Sequence, residues 1–75
     1  MDLAGEIKLK RILAAHLDCS VHSLKVGKDI MGGAVLSYLG TFPVRESQYY
    51  EVTENNTRDR APVSHYTIRR VEAPT

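Results

Sequence analysis

His16, Cys19 and His22 recur at every third residue, and both residue types are zinc ligands. Three ligands leave a tetrahedral ion one short, with His65 or Asp18 as candidates for the fourth. Structural zinc sites are usually richer in cysteine, and His16 falls on an apolar helical stripe where a hydrogen-bonded core histidine is the commoner role. A metal site is therefore not expected. Cys19 beside two histidines also has the parts of a thiol–imidazole pair. That chemistry needs a sheltered, electropositive cleft, which a chain of 75 residues seldom builds. Cys19 is expected as a small buried hydrophobe. Gly27-Lys28 and Gly32-Gly33 lack the GxxxxGK[ST] order of a phosphate-binding loop. Glu46, Glu51 and Glu54 sit among polar residues, without the surroundings that would make one a general acid. No Ser-His-Asp set has local support. Neither an enzyme nor a cofactor is expected.

A second constellation suits recognition. Tyr49, Tyr50, Tyr66 and Phe42 interleave with Arg45, Arg69 and Arg70. Tyrosine and arginine on a sheet face are the usual anchors of protein–protein contacts. They can also stack single-stranded bases. A blander role for the arginines is cross-strand pairing with Glu51, Glu54 and Glu72. The candidate partner-binding residues are Tyr49, Arg58, Arg60, His65 and Arg69.

The segment Ile12–Leu24 resembles the helix-turn-helix pattern. Ala14 takes its small-residue place, and Leu17 and Leu24 its packing places. The resemblance implies a recognition helix from Val21, with Ser20, His22, Ser23 and Lys25 toward DNA bases. Arg58 and Arg60 would then tip a wing that tracks phosphates. Asp18 at the turn and Gly27 in the second helix depart from the pattern.

These residues need elements to hold them. Leu9, Ile12, Leu13, His16 and Leu17 recur at i, i+3, i+4, i+7 and i+8, which predicts an N-terminal helix. Asp2 is its candidate N-cap and Glu6 favours its positive end. Asp18-Cys19-Ser20 interrupts it, and Ser20 is placed to cap a short second helix. Strands are expected at 34–42, 49–53 and 65–71, the last two joined by a polar loop over 54–62. Tyr50, Val52, Tyr66 and Ile68 should then face the helix. Tyr49, Glu51, Thr53, His65, Thr67 and Arg69 should face solvent or a partner. The expected fold is α+β, an N-terminal helix packed on an antiparallel sheet of three to four strands. The alternative is a winged helix-turn-helix. Residues 20–30 discriminate: a helix there favours the DNA reader, whereas a strand paired back through Gly32-Gly33 removes it.

A mass of 8.4 kDa allows one domain, residues 1–75, with 73–75 as a fraying tail. Its folded surface should be roughly 4,600 Å². The formal net charge of +1 is low for a protein that coats nucleic acid by releasing counterions. One cysteine excludes an internal disulfide, and the first five residues lack the basic and apolar regions of a secretory leader. A cytoplasmic, non-enzymatic binding protein is expected, acting by protein–protein contacts as a regulator, adaptor or inhibitor. Small phage-encoded or mobile-element proteins share this size and character. A DNA-binding transcriptional regulator is the alternative function. No membrane contact is expected, and a shared sheet or helix face would suit a homodimer.

Overall fold

The computed structural model describes residues 2–40, 46–56 and 64–73. Helix α1, Leu3–Leu17, begins where the sequence places its cap: the Asp2 carboxylate accepts the Gly5 N–H at 2.8 Å. Glu6 in the first turn pairs with Lys10 one turn on, at 3.0 Å. The helix ends at Asp18, whose backbone is left-handed (φ 55), and the Cys19 N–H closes onto the Ala14 carbonyl at 3.0 Å.

No second helix succeeds it over residues 20–30. Ser20 does cap, its hydroxyl accepting the His22 N–H at 3.2 Å, but only a three-residue 3-10 turn, Val21–Ser23. The chain then extends into β1, Leu24–Ile30. It turns at Met31-Gly32, where Gly32 takes a positive φ of 74, and returns as β2, Gly33–Leu39. This hairpin overturns the winged helix-turn-helix alternative. The segment needed as a recognition helix is spent as a strand, because Leu24, Val26 and the backbone of β1 gain more by pairing with β2.

Two longer strands complete an open antiparallel sheet, β3 (Ser47–Asn56) and β4 (Ser64–Val71), in the order β1-β2-β3-β4. β3 outruns the expected 49–53. Glu54 and Asn55, expected in a loop, are held as strand: the Glu54 N–H donates to the Gly32 carbonyl at 2.8 Å, and the Asn55 amide donates to the Thr67 hydroxyl. The fold is thus α+β, one helix on a four-stranded sheet.

Leu9, Leu13 and Ala14 of α1 meet Leu24, Ala34, Leu36 and Val52 to form the core. Tyr50, Tyr66 and Ile68 pack against it from the same side of the sheet, as their alternation requires. No polar side chain among the described residues is fully buried. That explains His16, which the apolar stripe would place inside but the structure leaves exposed. The buried line runs through Leu9, Leu13 and Ala14, and an imidazole on its flank finds water more cheaply than a buried partner. Gly33 makes the closest backbone approach: a Cβ there would stand 1.9 Å from the Val52 carbonyl oxygen.

Candidate interaction surface

The helix covers one side of the sheet and packs chiefly on β1 and β2. Among the described residues, no layer lies over the other side.

Strand register states which residues share that open face. Ser37 stands opposite Tyr49, Val35 opposite Glu51, Glu51 opposite Arg69, Thr53 opposite Thr67 and Asn55 opposite His65. Tyr49, His65 and Arg69, three of the five expected partner-binding residues, therefore lie on one surface. Tyr49 and Arg69 are diagonal neighbours, about 7–8 Å apart by strand geometry. His65 is four residues further along β4, about 13 Å away. Arg58 and Arg60, the other two, lie outside the described residues, as does Arg45.

Polar side-chain contacts run across and along the face. The Arg69 guanidinium donates to Glu51 at 3.0 Å, the cross-strand pairing expected of these arginines. Thr53 donates to the other Glu51 oxygen at 3.5 Å. Arg69 remains exposed, with N–H donors left for a partner. At the centre Val35, on the open side, is only 8% exposed. Its cross-strand neighbours are Glu51 of β3 and Lys28 of β1.

The residues of the DNA-reading alternative are not arrayed as a reader. Ser20 is used as a cap, and His22 and Ser23 belong to the 3-10 turn. Lys25 stands on the open face of β1, opposite Ser37. Nor do His16, Cys19 and His22 converge: no group of three or more metal-ligating side chains occurs among the described residues. Cys19 is half-buried against the core, and burial first, then the Asp18 charge, pushes its thiol above the usual range. Both effects disfavour the reactive thiolate.

Nothing local in the sequence signals the contacts around Tyr66. Its ring lies 5.5 Å beneath the Lys8 ammonium, and Lys8 approaches Glu54 at 3.9 Å. Tyr66 first, then Glu54, holds the Lys8 ammonium above its ordinary pKa. The Tyr66 hydroxyl is buried without a hydrogen-bond partner, so its link to Lys8 is charge against dipole, not a formed hydrogen bond. Only the fold could reveal this meeting of α1 with β3 and β4.

No protein-family model matches the chain, and neither the curated proteins nor the solved structures include a match. No helix among the described residues is long and apolar enough to cross a membrane.

Proposed function

We propose that the chain is a small binding module that acts by covering a site on another protein. The observation that supports this is the sheet face that no described element covers, which carries Tyr49 and Arg69 as diagonal neighbours and His65 on the same side of β4. Tyrosine and arginine supply large contact area and several donors at modest entropic loss. A rigid sheet presents them without ordering a loop first. The mechanism is occlusion, as befits a regulator, adaptor or inhibitor, and it needs no cofactor. Nucleic-acid reading is the less favoured function, since the helix that would enter a groove is a three-residue turn.

The test is site-specific photo-crosslinking in the source cells. A benzophenone amino acid replaces Tyr49 in one variant and exposed His16 in a control. A discrete protein adduct at 49, absent at 16, is the expected result. Nucleic-acid adducts at 49, or the same adducts at both positions, would overturn the proposal. A companion anisotropy titration with labelled duplex DNA and single-stranded RNA should show no salt-sensitive binding up to tens of micromolar.

A further inference from the structure

The molecule carries a second surface beside α1, across the β1 edge from the sheet face, and Lys25 of that edge strand borders both. A groove of 450 Å³ runs between α1 and the segment Val21–Lys25. Ile7, Lys10 and Arg11, at i, i+3 and i+4, form one wall. Val21, His22 and Lys25 form the other, with Leu24 at the floor. Ile7 is 42% exposed although aliphatic, and Leu3, one turn earlier, is 71% exposed. A shallower depression lined by Ala4, Ile7 and Ile12 prolongs the apolar strip along the helix.

Every charged residue lining the groove has the same sign. Lys10, Arg11 and Lys25 line it, and no carboxylate among the described residues does. Lys10 is partly satisfied by Glu6, while Arg11 and Lys25 are exposed at the rim. This excess of cation stands in a chain whose formal net charge is only +1. An apolar floor beneath an unbalanced cationic rim is complementary to an acidic segment with an apolar centre. A sugar-phosphate backbone would satisfy the rim but gain nothing from Ile7 and Val21.

We propose that this groove seats an acidic peptide segment of a partner protein, with one large apolar side chain against Ile7 and Val21 and carboxylates on Arg11 and Lys25. The probe is an acetylated, amidated octapeptide with three carboxylates on each side of a Leu-Phe pair, titrated into the ¹⁵N-labelled full chain. Saturable amide shifts confined to residues 7–11 and 21–25 are expected. The double variant Arg11→Glu, Lys25→Glu should weaken binding about tenfold or more. Ile7→Ser, which keeps every charge, should weaken it about fivefold. Replacing the peptide's Leu-Phe by Ser-Ser should do the same. Circular dichroism of each variant confirms that it is folded.

Absence of shifts overturns the proposal. So does equal binding of the Ser-Ser peptide, which would make the contact electrostatic alone, or preferential binding of duplex DNA of matched charge. A double variant Tyr49→Ala, Arg69→Ala should leave peptide affinity unchanged. If it abolishes binding instead, the peptide sits on the sheet face and the groove is not its site.

Discussion

At the scale of single residues, two positions have costs that depend on their immediate surroundings. A methyl group at Gly33 would collide with the backbone oxygen of Val52, which cannot swing aside as a side chain would. Gly33→Ala should therefore destabilise by about 3 kcal/mol or more, read as a lowered urea midpoint. Gly27→Ala meets only the Val35 carbonyl, at 3.4 Å, and should cost less than about 1 kcal/mol. Wild-type behaviour of Gly33→Ala would mean that β2 and β3 do not approach as described. Tyr66 presents the opposite case. Its hydroxyl forfeits hydration and gains no partner, so Tyr66→Phe should hold stability constant or raise it by up to about 1 kcal/mol near neutral pH. A clear loss would reveal a partner for that hydroxyl. Lys8 adds a pH signature. Its folded-state pKa lies above 10.5, so its contribution is complete below that pH and is lost as pH rises through the folded value. Glu54→Gln should flatten that alkaline decline, measured by thermal unfolding between about pH 9 and pH 12.

Among the elements, α1 ends under mild strain. Asp18 occupies a left-handed conformation that glycine adopts without penalty, so Asp18→Gly should stabilise by about 0.5–1 kcal/mol and raise the melting temperature. An unchanged or lowered melting temperature would mean that the Asp18 side chain offsets its backbone. The helix is legible in the sequence because one buried stripe and one cap agree, and β3 and β4 because their alternation is regular. β1 is not. Its apolar residues Leu24 and Val26 keep period two, but the pairing register jumps between Val26 and Lys28. This bulge at Gly27 puts Lys25 and Lys28 on the same face three residues apart, which erases the alternation a strand should show. The same break lets residues 20–25 pass for a second helix. Tyr49, His65 and Arg69 can be grouped because each obeys the parity of its own strand. The groove beside α1 cannot, since nothing local says that Val21–Lys25 returns along the helix.

The whole molecule has little reserve. Seven side chains make the core among the described residues, and a chain of this length holds only about 4–10 kcal/mol in total. Leu13 and Leu36 are fully buried, one in the helix and one in the sheet. Either Leu→Ala change should remove about 2–5 kcal/mol. Leu13→Ala combined with Leu36→Ala should leave most of the chain unfolded at about 37 °C, seen as loss of far-ultraviolet dichroism. A cooperative, folded double variant would mean that something beyond this core carries the stability. The strand order has a kinetic consequence as well. Every strand pairs with its neighbour along the chain, so no pairing has to wait for a distant segment to diffuse back. Loop-closure entropy is met one hairpin at a time, and relaxation on the order of milliseconds, without a populated intermediate, is the natural outcome for such a topology. The β1–β2 hairpin emerges from the ribosome directly after α1, so the first half of the core can assemble while the second half is still being synthesised.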